Sequence, residues 1–174
     1  HTTCRRQRQM CIRDSTCINP GFVLGDFLNE KSCTSMEYIK QLLQGKYPAA
    51  PKFSVMISHV KDIARAHVLS LNNKKAEGRR LIVGSGVRSI LELSKIMAEN
   101  IPSHAKKLPK KELPNFMVKL ISYVDSSAKN LVPDLGLRMQ TNSTYAEEIL
   151  EMKFIEPEVS VVDAAKSVIR LNLA

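Results

Sequence analysis

The 174-residue chain is 44% apolar and 25% charged, an ordinary balance for one globular unit with a core of its own. No apolar run approaches the ~20 residues of a membrane span, and the start lacks the apolar segment of a secretory signal. The formal charge of +9 points toward an anionic partner, yet it is concentrated in two clusters, one at the start and one in the lysines near residue 110.

The first fifteen residues, HTTCRRQRQMCIRDS, hold Arg5, Arg6, Arg8 and Arg13 against Asp14, so they supply +3 and leave +6 for the rest. An Arg-rich, acid-poor start imitates a mitochondrial presequence. RQRQMCIRDS more closely resembles translated library-adapter sequence of the kind found at the ends of unrelated transcript-derived proteins. Residues 1–15 are therefore expected to be non-native, with the authentic chain beginning near Thr16 and its upstream part cut away.

From Thr16 the pattern alternates. CINPGFVLG (17–25) reads as a strand running into a loop, with a proline and two glycines at its end. Met36, Ile39, Leu42 and Leu43 then fall at helical spacing, and Gly45 supplies a stop. FSVMISHV (53–60) is apolar and β-branched enough for a strand. In KDIARAHVLSL, Ile63, Ala66, His67 and Leu71 lie close to one helical face. RRLIVG (79–84) is a short apolar run, expected to be a strand buried on both sides. Strand, helix and strand again is the rhythm of a parallel α/β protein.

The remainder is mostly helical. Ser89 and Glu92 form a capping box before LSKIMAEN, which Asn100 and Pro102 end. Beyond the lysines Lys106, Lys107, Lys110 and Lys111, which read as a solvated face, Phe116, Leu120 and Val124 share a helical face expected to pack on the body of the protein, with Pro114 near the first turn. Thr144 with Glu147 and Ser160 with Asp163 mark two further caps.

Bare residue chemistry yields no complete active site. GFVLG has its glycines in the wrong spacing for a dinucleotide-binding G-x-G-x-x-G, and VGSG lacks the third glycine. His1, His59, His67 and His104 have no metal-binding spacing, and Cys4, Cys11, Cys17 and Cys33 have no paired-ligand or disulfide pattern. No metal site is expected, and Cys17 and Cys33 read as unpaired thiols of a reducing compartment. The basic residues have no aromatic interleaving and no recognition motif, so nucleic acid is not an expected partner.

CINPGFVLGD, followed some thirty residues later by FSVMISHVKDIARAHVLSL and then by SILELSKIM, resembles the C-terminal half of an extended short-chain dehydrogenase/reductase. Within the wider NAD-dependent epimerase/dehydratase family, it is most similar to the dihydroflavonol reductase-like group. Phe53 to His67 carries the most specific part, with Val60, Asp62, Ile63, Ala64, Ala66 and His67 at its core. The ending from Thr141 resembles the family's close, with Leu150 and Met152 where a Leu-Gly pair is usual.

The resemblance implies an α/β fold, the C-terminal part of a doubly wound Rossmann-type domain whose N-terminal half is missing. It implies a mostly helical substrate-side subdomain, mainly residues 27–52 and 100–174. It implies that Pro20, Gly21, Phe22 and Val23 border the nicotinamide of NADP or NAD, NADP by subgroup. A proline and a glycine suit that place, because backbone can approach a flat ring only where side chains do not intervene. It places His59 at the rim of the substrate cavity and gives Asp62 a structural job at a helix start, accepting backbone N–H groups.

The family's N-terminal glycine motif and its Tyr-x-x-x-Lys pair are absent. Tyr38, Tyr47, Tyr123 and Tyr145 are followed four positions on by Leu42, Pro51, Ser127 and Ile149. None has the lysine that would favour its phenolate. The chain as given is thus expected to be inactive, a fragment of a cytosolic NAD(P)(H)-dependent oxidoreductase of a carbonyl or alcohol substrate. The alternatives are a non-catalytic binding or scaffold protein retaining the fold, or a related epimerase or sterol-type dehydrogenase. Residues 16–174 by themselves are expected to pack poorly, since parallel strands need partners on both edges. Oligomeric state is left open.

Overall fold

The computed structural model describes residues 15–31, 33–121, 123, 132–137 and 139–174. Most of the expected opening artefact, and Val124, lie outside them. In chain order the elements are β1 (Cys17–Pro20), β2 (Phe22–Leu24), α1 (Thr34–Leu43), β3 (Ala50–Pro51), β4 (Ser54–His59), α2 (Val60–Ser70), β5 (Arg80–Val83), β6 (Gly86–Ser89), α3 (Ile90–Asn100), β7 (Glu112–Leu113), α4 (Asn115–Ile121), α5 (Thr144–Leu150) and α6 (Pro157–Arg170).

The expected strand over 17–25 is two strands with different partners. β1 pairs in parallel with β5, Ile18 opposite Leu81. β2 pairs in parallel with β4, Phe22 opposite Ile57, and β4 continues antiparallel to β6, Met56 opposite Val87. A third, two-residue parallel pair joins β3 to β7. The result is a mixed α/β fold with predominantly parallel pairing, as the alternating pattern predicts.

Local chemistry explains the helices that form as read. In α1 the four spaced residues Met36, Ile39, Leu42 and Leu43 are all buried, and Gly45 leaves the helix at φ +77°, the left-handed conformation that ends helices. α3 starts on a complete capping box: Glu92 N–H donates to Ser89 Oγ (3.2 Å), and Ser89 N–H to Glu92 Oε2 (2.6 Å).

Other expectations fail for identifiable reasons. The box at Thr144 does not form, because Thr144 is already helical. Its N–H donates to Asn142 Oδ1 at 2.9 Å, and Glu147 instead accepts from Phe154 N–H. The box at Ser160 does not form either: α6 begins earlier on Pro157, whose missing N–H and fixed φ suit a first turn. On α2 the inward residues are Asp62 and Ala66, whereas His67 and Leu71 face outward. On α4 Val118 is buried, while Phe116 and Leu120 are 70% and 68% exposed, so the packing face is not the one their spacing suggests. β5 is not buried on both sides: Leu81 and Val83 point inward, and Ile82 is 40% exposed.

Two cores result. The larger gathers Leu24, Ile39, Ile57, Leu93, Val161 and Val168 with their neighbours between the β2–β4–β6 sheet and helices α1, α3 and α6. The smaller packs Ala66, Leu81, Val83, Leu150 and Met152 between the β1–β5 pair and helices α2 and α5.

Candidate cofactor and substrate site

The break between β1 and β2 builds the site. Pro20 closes β1 without an N–H to donate, and Gly21 carries the chain across to β4. A Cβ on Gly21 would stand 2.3 Å from the Met56 carbonyl oxygen and 2.9 Å from the Met56 side chain, so no other residue fits. Gly84 meets the same side chain from the other side, where a Cβ would lie 2.7 Å from Met56 Cγ and Sδ. Met56 is thus wedged between two backbones.

Ser58, also buried, joins the parts where the ladders change. It accepts the Gly21 N–H at 2.8 Å and donates to the Val83 carbonyl. One hydroxyl therefore bridges the start of β2 to the end of β5.

Beyond Gly21 the chain borders a cavity of about 490 Å³, whose wall is the run Gly21 to Phe27 together with Cys33, Thr34, Ser35 and Val60. Gly21, Phe22 and Val23 are on this wall, and Pro20 is not. The clearance that glycine provides at position 21 is filled by Met56, so the close approach there is internal. The wall is held from α6: Phe27 N–H donates to Ser167 Oγ (3.1 Å), and Arg170 Nη2 to Asp26 Oδ1 (2.8 Å) and to the Phe27 carbonyl (3.1 Å).

A second cavity of about 740 Å³ adjoins it, sharing Phe22, Cys33 and Thr34. Phe53, Val55, Ile90 and Tyr38 also line it. Burial, with the neighbouring Tyr47, pushes the Tyr38 phenol well above its ordinary range. Hydrogen bonds from Gln41 first, then Lys40, hold the Glu37 carboxyl below its ordinary value.

His59 lies on neither wall. It is buried, its Nδ1 accepts the Lys61 N–H at 3.1 Å to cap α2, and its Nε2 is 3.5 Å from Asp163 Oδ2 on α6. A Cβ on Gly25, which has φ +128°, would sit 3.1 Å from the imidazole Cε1, so the ring props the loop after β2. Asp62 is buried near the start of α2 and does not cap it; its Oδ2 accepts the Ile155 N–H at 2.7 Å. It pins the α5–α6 connection to α2 across 93 positions.

Met56 and Ser58 go unmarked in the sequence, Tyr38 is marked only as a tyrosine without a following lysine, and Asp163 only as a cap partner. Only Ser58 carries a local signal, a hydroxyl in the middle of an apolar strand. The others are set by contacts between distant segments.

No family profile matches the chain. Tetraketide alpha-pyrone reductase 2 of Arabidopsis thaliana is 32% identical over 91 residues, covering 52% of this chain and 28% of that protein. Cinnamoyl-CoA reductase CAD2 of Medicago truncatula is 36% identical over 90 residues, 52% of this chain and 27% of that protein. Among solved structures, yeast methylglyoxal/isovaleraldehyde reductase Gre2, complexed with NADPH, superposes with a TM-score of 0.69 at 17% identity. That superposition covers 98% of this chain and 47% of the yeast protein. The matched region spans about a quarter of the curated relatives' length and about half of the solved one. The fold is that of part of a Rossmann-type reductase, and the relatives are reductases of the type the sequence resembles.

Proposed function

We propose that this chain, a relative of the dihydroflavonol reductase-like short-chain dehydrogenases/reductases, is the substrate-side C-terminal part of an NADP(H)-dependent reductase of a small or medium carbonyl compound. The observation that carries the reading is the β1–β2 break, which delivers the Gly21–Phe27 wall to a cavity between α1 and α2. That is where a parallel sheet presents ligands, outside the carboxyl ends of its strands.

The cavity suits the nicotinamide end of a cofactor. Its wall is mostly apolar, with Asp26 as its one carboxylate already paired to Arg170. Reduced nicotinamide would supply hydride to the carbonyl carbon, and the proton would come from a tyrosine outside this chain. The chain's own residues do the positioning. Gly21, Phe22 and Val23 border the ring, Phe27 and Val60 exclude water, and His59 acts at one remove by holding Gly25 and the start of α2. Asp62 stays structural. Two exposed free thiols, Cys17 and Cys33, fit a cytosolic, reducing location.

The test is to establish the 5′ end of the source transcript from fresh RNA with an unrelated library chemistry, then express the encoded protein. A protein carrying a Rossmann glycine motif and Tyr-x-x-x-Lys upstream of Thr16 should oxidise NADPH with a panel of aldehydes and ketones, and NADH more slowly. The 174-residue chain alone should show no turnover. Confirmation of HTTCRRQRQMCIRDS as coding sequence behind its own start codon would overturn the reading in favour of a non-catalytic binding protein.

A further inference from the structure

Helix α4 turns most of its apolar side chains away from the core. Val118 is buried, whereas Phe116, Met117 and Leu120 are exposed. Phe116 and Leu120 lie four positions apart and so project from one face. Tyr123, whose N–H donates to the Leu120 carbonyl at 3.3 Å, follows at 88% exposure. Single apolar residues on a surface are ordinary, but a contiguous group of this kind marks a surface that meets something.

The chain leading into α4 is basic. From Ser103 to Tyr123 it carries five lysines against one carboxylate, Glu112, which already has Lys52 Nζ at 3.6 Å. Lys106, Lys107, Lys110 and Lys111 are all exposed, yet they do not sit on a loose tail. Leu108 and Pro109 between the two pairs are buried, and the Ala50 N–H donates to the Lys111 carbonyl at 2.9 Å. The lysine loop is thus anchored at its middle and its end, and only β7 and Pro114 separate it from α4. Aromatic and aliphatic side chains beside a fixed row of lysines are the two halves of an interfacial membrane contact. The apolar groups enter the boundary between headgroups and acyl chains, and the ammonium groups meet anionic headgroups. A nucleic acid would use the lysines but leave Met117 and Leu120 in water, and a second copy on the same patch would set lysines against lysines.

We infer that α4 and the lysine loop before it form a peripheral docking surface for an anionic lipid membrane, with Phe116, Leu120 and Tyr123 in the interface and the lysines over the headgroups. Among the described residues no helix is long and apolar enough to cross a membrane, and the contact is with one leaflet. The inference goes beyond the reductase reading and does not rest on it, because docking needs neither nicotinamide nor turnover.

The test floats the full 174-residue chain with vesicles of phosphatidylcholine, either pure or containing about one-third phosphatidylserine; flotation separates bound chain from aggregate. Partitioning onto the anionic vesicles should be stronger by about tenfold or more at ~0.1 M salt, and most of that gain should be lost at ~0.5 M. Lys106→Gln, Lys107→Gln, Lys110→Gln and Lys111→Gln together should weaken it by about tenfold or more. Phe116→Ser with Leu120→Ser, both on the exposed face, should weaken it by about tenfold while the far-ultraviolet dichroism is kept. The chain has no tryptophan, so a single one reports its own surroundings. Emission from Phe116→Trp should move to shorter wavelength on anionic vesicles, and emission from Val68→Trp, at an exposed position on α2, should not. Equal flotation on both vesicles, no flotation at all, flotation indifferent to both sets of substitutions, or an equal shift at positions 68 and 116 would overturn the inference. So would release of the chain from the vesicles by an equal charge of single-stranded oligonucleotide. Failure of the hydride-transfer assay would leave it standing, and failure here would leave the reductase reading standing.

Discussion

The two cores of this molecule are built from the same kinds of element and end up in different states. Around β2, β4 and β6, three helices close one face, and a run of residues from Leu24 to Val168 is excluded from water. Around β1 and β5, helices α2 and α5 close one face only, and the other presents Arg80 and Ile82 to solvent. Among the described residues β1 has one strand neighbour, β5. A short parallel pair is normally covered on both faces and flanked by further strands. The β1–β5 unit is thus the region on which the expectation of poor packing bears most directly. Yeast Gre2, which extends well beyond the part matched here, shows the same fold carried in a larger body.

Substitutions can break or sharpen this contrast. Leu93→Ala empties a wholly buried position in the larger core and should cost about 3 kcal/mol by denaturant unfolding. Gly21→Ala attacks the joint between the two units. Its Cβ meets the Met56 backbone, which cannot yield cheaply, so a loss of about 2 kcal/mol is expected from the same measurement. Asp62→Ala leaves the Ile155 N–H without its acceptor and should cost about 1.5 kcal/mol, with hydrogen exchange rising at Ile155 before it rises in α3. Ile82→Ala, on the open face, should cost no more than about 0.5 kcal/mol in this chain. If a longer form covers that face, the same change should cost about 1.5 kcal/mol there, and an equal cost in both would show that the face stays open.

The smallest effect concerns a surface pair. Arg88 Nε and Nη2 both donate to Glu158 Oε1, at 2.9 and 2.6 Å. Partial burial raises the Glu158 pKa, and the hydrogen bonds from Arg88, a backbone hydrogen bond and the Arg88 charge together more than offset this, leaving it below 4.5. A carboxyl depressed in the folded state stabilises above its unfolded pKa and loses that contribution as pH falls through the folded value. Glu158→Gln should therefore cost under about 0.5 kcal/mol at neutral pH. Wild type and variant should converge as pH falls through the lowered folded-state value, as read from their midpoints in urea.

How much of this was legible in the chain varies with how local the cause is. α1 was legible because four apolar residues at helical spacing face one core, and the box at Ser89 because both partners lie within three residues. The boxes at Thr144 and Ser160 misled because a cap depends on where the helix starts, and Asn142 and Pro157 decide that. His59 was assigned to a cavity rim from resemblance, yet its capping bond to Lys61 and its position beside Asp163 depend on how α6 docks. The run Gly21–Val23 was legible as a strand end that turns into a loop, while the cavity opposite it was not legible, because Phe22, Tyr38, Phe53 and Ile90 come from four separate segments.

The sequence by itself determined the alternation of strand and helix, the buried face of α1, the reductase resemblance and the absence of a Tyr-x-x-x-Lys pair. The first two follow from the spacing of neighbours along the chain, the resemblance from motifs it shares with a known family, and the last from residue order. Only the tertiary structure decided that one apolar run becomes two strands, that Gly21 clears Met56, that His59 caps and Asp62 tethers, and that one sheet face stays open. Each of those depends on which distant backbone arrives within a few ångströms, and steric exclusion and hydrogen-bond satisfaction act only once it has arrived.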